Sequence, residues 1–226
     1  MATTVLVVDD DDDLRSLIVL ALRESGYRVA EAADGAAALE QYHAHQPDLV
    51  VLDIGLGAVD GLEVCRRLRA FGDIPVLFLT SRAEEVDQLV GFAAGGDDYM
   101  TKPFSPKLLL ARIGSLLRRG VVTPAAKTNF TVGPITLDLE GRTVQVEEID
   151  VELTRTEFDL LAVLMESPRR VFPREELLER VWGSWFGDDH VVEVQMSRLR
   201  SKIGRAGGPK VGVAVRGVGY KLGVDE

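Results

Sequence analysis

Unbroken apolar runs that end in polar residues recur through the first half of the chain. The runs Val5–Val8, Leu49–Leu52 and Pro75–Leu79 contain no charged residue. A run of this length is typical of a strand that is buried on both faces, as in a parallel sheet. Stretches with helical periodicity lie between the runs. The sequence therefore predicts an open α/β sheet with helices on both of its faces.

The residues at the ends of these predicted strands are polar and differ in kind. Asp9 and Asp10 follow the first run, Asp53 and Thr80 end the third and fourth strands, and Lys102 follows a short fifth strand. The carboxyl ends of parallel strands meet at one rim of the sheet. Carboxylates gathered there suit Mg²⁺, and a lysine and a hydroxyl can stabilise a phosphoryl group in transfer. We therefore predict Asp53 as a nucleophile that accepts a phosphoryl group.

The first predicted helix begins within a run of consecutive aspartates. Asp12 or Asp13 is expected to cap it, because a carboxylate is favoured at a helix N-terminus. Apolar residues at helical spacing predict the face toward the core, namely Leu14, Leu17, Ile18 and Ala21.

Residues 1–119 resemble the receiver domain of bacterial two-component response regulators. The matching segments are Val7–Asp11, Val51–Asp53, Asp60–Gly61, Leu79–Thr80 and Asp97–Phe104. The resemblance implies a flavodoxin-like five-stranded parallel sheet. It also implies a phosphoprotein whose phosphoryl donor is a sensor histidine kinase.

A magnesium site is part of what this resemblance implies. The ion would be bound by Asp10, Asp53 and the carbonyl oxygen of Gly55, with Asp9 in support. Asp53 would be the phosphoacceptor within the same site.

A switch and a dimer surface are implied in the same way. Thr80 and Lys102 would contact the phosphoryl group, and Tyr99 would turn inward when Thr80 moves. Phosphorylation would favour a homodimer through a surface that bears Asp97, Asp98 and Arg112.

The second half has a different pattern. Residues 120–129 lack apolar periodicity and predict a linker to a second domain over residues 130–226. Four short strand-like pieces begin at Phe130, and Thr154 with Glu157 forms a capping box ahead of the first of three predicted helices. Val211–Leu222 predicts a hairpin. Three helices followed by a hairpin indicate an α+β winged helix-turn-helix domain.

Charge is distributed unevenly in this acidic chain, whose net charge is −10. Residues 194–224 hold seven basic residues and no acidic one, which favours an anionic partner such as double-stranded DNA. The third helix of this domain, predicted from about Asp189 to Ile203, fits a major groove. The candidate DNA contacts are the side chains away from its predicted core stripe and on the wing: His190, Val194, Gln195, Arg198, Arg200, Lys202 and Arg216.

The second half resembles the effector domain of OmpR/PhoB-type regulators. The matching segments are Leu153–Leu161, Arg174–Leu178, Val192–Arg200 and Val215–Tyr220. This resemblance implies a transcriptional regulator that binds tandem operator half-sites as a dimer and contacts RNA polymerase.

Several classes of protein are disfavoured by the sequence. No apolar run approaches the length of a membrane span, and no signal peptide is visible, so a cytoplasmic protein is expected. Cys65 is the only cysteine, which excludes an intrachain disulfide and suggests a small core residue.

Two alternatives stay open at this point. A metal-dependent phosphatase with an aspartate nucleophile would need a second acid two residues later, where this chain has Gly55. We therefore expect no turnover enzyme. A DNA-binding protein indifferent to phosphorylation would have no use for the acids, Thr80 and Lys102 at the strand ends.

Overall fold

The structure is a computed structural model that describes residues 3–56, 60–81, 95–118, 129–183 and 190–223. The chain divides into two compact units, Met1–Leu117 and Arg118–Glu226. Residues 83–94, one of the stretches with helical periodicity between the predicted strands, lie outside the described residues, as does the predicted linker at 120–129 apart from Asn129. Within the described part of the chain, no helix is long and apolar enough to span a bilayer.

The first unit alternates strands and helices. Its described elements are β1 (Thr4–Val8), α1 (Asp12–Glu24), β2 (Arg28–Ala32), α2 (Gly35–His45), β3 (Leu49–Asp53), α3 (Gly61–Arg69), β4 (Val76–Thr80), β5 (Asp98–Thr101) and α4 (Pro106–Arg118). The strands form one parallel sheet in the order β2-β1-β3-β4-β5, which confirms the predicted flavodoxin-like fold. Because β1, β3, β4 and β5 are consecutive neighbours, the residues at their carboxyl ends lie along one rim.

One face of this sheet packs against α1 and α4. Side chains from β1, β3 and β4 join Ile18 of α1 and Ile113 of α4 in a buried apolar core. Leu17 was predicted to face this core and does not, since it is 48% exposed. The buried residues of α1 are Ile18, Val19 and Leu22, and a stripe of that width leaves Leu17 on the solvent side of the helix. Cys65 is fully buried, as predicted.

The second unit is a winged-helix domain, as predicted. Its described elements are β6 (Asn129–Val132), β7 (Ile135–Asp138), β8 (Thr143–Val146), β9 (Ile149–Asp150), α5 (Arg155–Glu166), α6 (Arg174–Trp182), α7 (His190–Arg205), β10 (Val213–Val215) and β11 (Gly219–Lys221). Strands β6 to β9 form an antiparallel sheet, and β10 and β11 form a separate hairpin. The predicted capping box of Thr154 and Glu157 is present at the start of α5.

The wing, formed by β10 and β11, is connected to the helical part of its domain by backbone hydrogen bonds to Phe172. The backbone N–H of Phe172 donates to the carbonyl of Tyr220 at 2.8 Å, and the N–H of Tyr220 donates back at 2.9 Å. Gly219 lies against this bridge, so that a Cβ at this position would be 2.0 Å from the carbonyl oxygen of Phe172. A side chain larger than hydrogen therefore cannot be accommodated without moving the wing.

Replacement of Gly219 by alanine is expected to destabilise the second unit by about 1–3 kcal/mol, because backbone atoms must move apart. Gly217→Ala is the matched control, since Gly217 also has a positive φ but no atom lies within 4 Å of its added Cβ. The control should show only the cost of a left-handed backbone, about 1 kcal/mol. Urea unfolding followed by circular dichroism measures both, and equal losses would contradict the steric explanation.

Candidate functional site

Three aspartates form an acidic cluster at the carboxyl rim of the first sheet. Asp9 and Asp10 follow β1, and Asp53 ends β3, the neighbouring strand. One carboxylate oxygen from each lies within 4.8 Å of the others. Asp9 and Asp53 are buried, and Asp10 is exposed. The cluster therefore gathers three carboxylates that could hold one divalent cation, and one of the three is open to solvent.

The ammonium of Lys102 lies between two of these carboxylates. Its Nζ is 2.8 Å from Oδ2 of Asp9 and 3.0 Å from Oδ2 of Asp53. The backbone N–H of Lys102 donates to the carbonyl of Thr80 at 2.7 Å, which holds the lysine beside the end of β4. The structure thus brings together Asp9, Asp10, Asp53, Thr80 and Lys102 from four neighbouring strand ends, as the sequence predicts.

Burial and the neighbouring charges shift the pKa values of Asp9 and Lys102 in opposite directions. Burial raises the pKa of Asp9 above its usual range, although the hydrogen bond from Lys102 draws it back. Burial also disfavours the Lys102 ammonium, but its hydrogen bonds to Asp9 and Asp53 and the attraction of their charges together outweigh that effect and raise its pKa. Lys102 is therefore a permanent cation at neutral pH.

Asp11 and Arg15 support Asp9, and sequence reasoning missed both. The backbone N–H of Asp11 donates to Oδ1 of Asp9 at 3.0 Å, and Nη1 of Arg15 donates to the Asp9 carbonyl at 2.7 Å. Asp11 also caps α1 by accepting from the N–H groups of Asp13 and Leu14. The prediction that Asp12 or Asp13 provides this cap is wrong, because the helix begins at Asp12. The sequence did hold a signal for Arg15. It lies six residues after the strand-end Asp9 and about one turn into the next helix, where its side chain can reach back to the end of the strand.

The loop that follows Asp53 returns close to its own start at Gly61. The N–H of Gly61 donates to the carbonyl of Ile54 at 3.0 Å, and a Cβ on Gly61 would lie 2.0 Å from the carbonyl oxygen of Asp53. A Cβ on Gly55 would be 3.8 Å from Oδ2 of Asp53, so the backbone at Gly55 passes beside the acceptor. That the carbonyl of Gly55 binds metal stays a prediction. Residues 57–59 of this loop lie outside the described part.

Alanine at position 61 is expected to lower the stability of the first unit by about 1–3 kcal/mol. The rate of phosphoryl uptake from acetyl phosphate should fall as well, because the peptide of Asp53 must shift. Gly204→Ala is the control, since nothing lies within 4 Å of its added Cβ. Urea unfolding and label uptake report the two effects, and an unchanged variant would contradict the close approach.

The predicted switch and dimer residues are placed as follows. Thr80 and Tyr99 are buried, at the end of β4 and within β5. Asp98 accepts from Nη1 of Arg112 with both carboxylate oxygens at 2.9 Å. Asp97 and Asp98 differ from the prediction of surface residues, because both are buried, Asp97 beside Arg69 and Asp98 beside Arg112.

Arg69 is a further residue that sequence reasoning missed. Its Nη2 donates to Oδ2 of Asp97 at 2.7 Å and to the carbonyl of Gly95 at 2.6 Å. Asp97 in turn accepts from the N–H of Val76 at 3.0 Å. The ion pair of Arg69 and Asp97 joins the end of α3 to the starts of β4 and β5. Because Asp97 is buried together with its partner, it has a structural role within one chain.

Helix α7 presents a different face to solvent than predicted. Val194 and Gln195 are buried, and Arg200 donates to the carbonyls of Val211 and Gly212 beside the wing. His190 has Nδ1 3.7 Å from a carboxylate oxygen of Glu193, on the next turn. Val194 and Gln195 lie in the domain core and Arg200 is held by the wing, which differs from the predicted exposed positions, and contact of these residues with DNA stays a prediction.

Arg198 and Lys202 also depart from the predicted solvent-facing position. Both point toward the carboxylate of Glu157 on α5, at 3.2 Å and 2.7 Å. Arg216 is exposed at the tip of the wing, as predicted.

The exposed ridge of α7 consists of Glu193, Ser197, Ser201 and Arg205. These positions repeat every four residues, which is the spacing of one helix face. Sequence reasoning missed them because it followed the basic residues and not the period set by the core stripe Val192, Met196, Leu199 and Ile203, which is fully buried as predicted.

Two family models match the chain. The response regulator receiver domain matches residues 5–114, and the model described as "Transcriptional regulatory protein, C terminal" matches residues 147–222. Each match falls within one of the two compact units.

Relatives match the chain over nearly its whole length. The transcriptional regulatory protein PrrA of Mycobacterium tuberculosis is 46% identical over 221 residues, which are 96% of this chain and 95% of PrrA. The DNA-binding response regulator MtrA of Mycolicibacterium smegmatis is 41% identical over 225 residues, 99% of this chain and 98% of MtrA. These relatives are regulators, which sets the phosphatase alternative aside.

Solved structures agree in fold. A mutant form of RitR superposes with a TM-score of 0.77 at 29% identity, over 98% of this chain and 99% of that one. DrrB, a Thermotoga maritima OmpR/PhoB homologue, has a TM-score of 0.52 at 31% identity, over 99% and 100% of the two chains.

Proposed function

The chain belongs to the two-component response regulators of the OmpR/PhoB type, and from this premise we propose that phosphorylation of Asp53 by a sensor histidine kinase controls its binding to DNA. The observation that carries the proposal is the position of Lys102. Its ammonium is hydrogen-bonded to Asp9 and Asp53 at once, inside a cluster of three aspartates. A buried acceptor with a fixed cation beside it is prepared for the negative charge of a phosphoryl group.

The transfer is a displacement at phosphorus. A carboxylate oxygen of Asp53 forms a bond to phosphorus while the bond from phosphorus to the donor's imidazole nitrogen breaks, and the imidazole keeps the electron pair. Lys102 balances charge on the phosphoryl oxygens. The Thr80 hydroxyl, buried at the end of the neighbouring strand, is the proposed hydrogen-bond donor to one of them.

Magnesium fits the acidic cluster. Two carboxylates at about 4 Å repel by about 4 kcal/mol at an effective dielectric near 20, and Lys102 supplies only one positive charge for three aspartates. Asp10 and Asp53 would hold the ion, with the Gly55 carbonyl as a third ligand and Asp9 in support. When bound, the ion supplies positive charge to the phosphoryl oxygens.

The proposed output is a dimer on DNA. Phosphorylation would move Thr80 and Tyr99 and favour pairing of two receivers, in which Asp98 and Arg112 exchange their intrachain ion pair for contacts across the interface. Two winged-helix domains would then bind tandem half-sites and contact RNA polymerase. We place these events in the cytoplasm, where a regulator of this family meets DNA.

The exposed ridge of α7 and the wing tip are the proposed DNA surface. Ser197 and Ser201 would face base edges, while Arg205 and Arg216 would contact phosphates. This assignment keeps Arg216 from the sequence-based one and replaces the residues of α7 that the structure buries or pairs.

Selection of bound duplexes from a random-sequence pool tests the proposal. It is performed on the full chain with and without acetyl phosphate and Mg²⁺. The expected result is a tandem repeat that is enriched more strongly with the phosphoryl donor. The same sequences at the same affinity in both arms would contradict control by phosphorylation, and no enriched sequence in either arm would contradict sequence-specific binding.

A further inference from the structure

Asp10 is the exposed member of the acidic cluster and a proposed magnesium ligand. Within the described part of the chain, its carboxylate receives no hydrogen bond and forms no ion pair, whereas Lys102 holds both Asp9 and Asp53. A ligand without such contacts is directed only by the backbone that carries it. The backbone on the two sides of Asp10 therefore determines whether its carboxylate points toward the ion.

Both peptides that flank Asp10 are held by hydrogen bonds. Nη1 of Arg15 donates to the carbonyl oxygen of Asp9 at 2.7 Å, and the backbone N–H of Asp11 donates to Oδ1 of Asp9 at 3.0 Å. Because a peptide bond is planar, the carbonyl oxygen of Asp9 and the nitrogen of Asp10 move as one unit. Arg15 thus fixes the peptide before Asp10, and the Asp9 carboxylate fixes the peptide after it. The direction of the Asp10 side chain is set from both sides.

The side chain of Arg15 lies against this loop and is only 15% exposed. Its backbone N–H donates to the carbonyl of Asp11 at 2.8 Å, which places Arg15 at the start of α1. Its Nη2 pairs with Asp12, whose side chain is 84% exposed, and an ion pair that open to water contributes little. The bond to the Asp9 carbonyl is charge-assisted and partly buried. It is therefore the contact for which the position of Arg15 matters.

We propose that Arg15 is a positioning residue that orients Asp10 toward magnesium by holding the Asp9 carbonyl, and so sets the affinity of the acidic cluster for the ion. This inference rests on the proposed magnesium site. Loss of a group that orients a metal ligand lowers metal affinity by about 10–100-fold. The charge of Arg15 alone would act in the opposite sense, because a cation repels a cation. The sign of the change in affinity therefore separates the two effects.

Arg15→Met in the full chain is the principal test, since methionine keeps an apolar stem and has no hydrogen-bond donor. Mn²⁺ is titrated and followed by the electron paramagnetic resonance signal of the free ion, and Mg²⁺ is measured by its displacement of Mn²⁺. The dissociation constant for Mg²⁺ should rise by about tenfold. An unchanged constant would overturn the inference. A lower constant would also overturn it, and would show that Arg15 acts only as a repelling charge.

The dependence of phosphoryl uptake on Mg²⁺ separates positioning from simple stabilisation. With limiting Mg²⁺, uptake of label from acetyl phosphate by Arg15→Met should be slower by about the same tenfold factor. With saturating Mg²⁺, the rate should return to near that of the unaltered chain, because a loss that excess ligand restores is a loss of binding. A variant that is merely less stable unfolds at lower urea without metal but needs no more Mg²⁺ for half its maximal rate. A slow rate that persists at saturating Mg²⁺ would contradict a role through metal affinity.

Arg23→Met is the matched control. It makes the same substitution in the last turn of α1, where Arg23 pairs with Glu31 at the surface. Its dissociation constant for Mg²⁺ should equal that of the unaltered chain, and a rise equal to that of Arg15→Met would overturn the inference.

Arg15→Gln keeps the inference testable if Arg15→Met does not fold. The amide is uncharged and shorter than the guanidinium, so the same rise in the dissociation constant is expected, and an unchanged constant would overturn the inference. An unaltered chain that binds neither Mn²⁺ nor Mg²⁺ would instead contradict the proposed magnesium site, and this inference with it.

Discussion

Asparagine in place of Asp53 is expected to abolish transfer of label from radiolabelled acetyl phosphate to the chain. The amide has nearly the size of the carboxylate, but it is a poor nucleophile and brings no negative charge to a bound cation. Asp53 is buried beside Lys102, so the substitution removes the carboxylate nearest to that ammonium after Asp9. The measurement is label retained on the denatured protein, with Mg²⁺ present and then removed by a chelator.

Asp13→Asn is the matched control for this variant. Asp13 belongs to the same acidic sequence run but is exposed in the first turn of α1, and the described acidic cluster does not include it. Its label uptake should equal that of the unaltered chain. Label on Asp53→Asn at the level of the control would refute Asp53 as the acceptor.

Methionine in place of Lys102 is expected to slow phosphoryl uptake at Asp53 by about 10²–10³-fold, the usual cost of removing one preorganised electrostatic contact. Methionine retains an apolar stem of similar length but has no charge. Asp9 and Asp53 would then face each other without the ammonium that bridges them. Since Lys102 now holds the pKa of Asp9 down, that pKa should rise further and weaken the cluster as a cation site.

The initial rate of label uptake at saturating Mg²⁺ measures this effect. Lys107→Met makes the same substitution at an exposed position of α4 and should leave the rate unchanged. Urea unfolding of both variants shows whether the first unit remains folded. A folded Lys102→Met protein with an unchanged rate would refute the proposed role of the ammonium.

The receiver site could be predicted closely from the sequence because of the geometry of parallel sheets. Asp9, Asp53, Thr80 and Lys102 each follow an apolar strand run, and parallel strands bring such positions to one rim. The contacts of Arg69 with Asp97 and of Gly61 with Asp53 could not be predicted in this way. They join loops and helix ends, whose paths depend on packing and not on a local period.

The placement of the basic side chains of α7 was predicted less well, for a related reason. Basic residues at 198, 200 and 202 suggested a basic helix face, yet the structure sends Arg198 and Lys202 to Glu157 and Arg200 to the wing. Glu157 was recognised only as a capping residue, because its second role depends on a helix 45 residues away along the chain.

The sequence by itself determined which secondary structures form and which residues lie at strand ends, since both follow from local periodicity and from the fixed geometry of a parallel sheet. Only the tertiary structure decided how the charged side chains pair: Lys102 with Asp9 and Asp53, Arg69 with Asp97, and Glu157 with Arg198 and Lys202. A buried charged side chain pairs with whichever opposite charge the packing brings within a few ångströms, because a buried charge without a partner is costly. That partner can be far away along the chain, so the sequence does not reveal it.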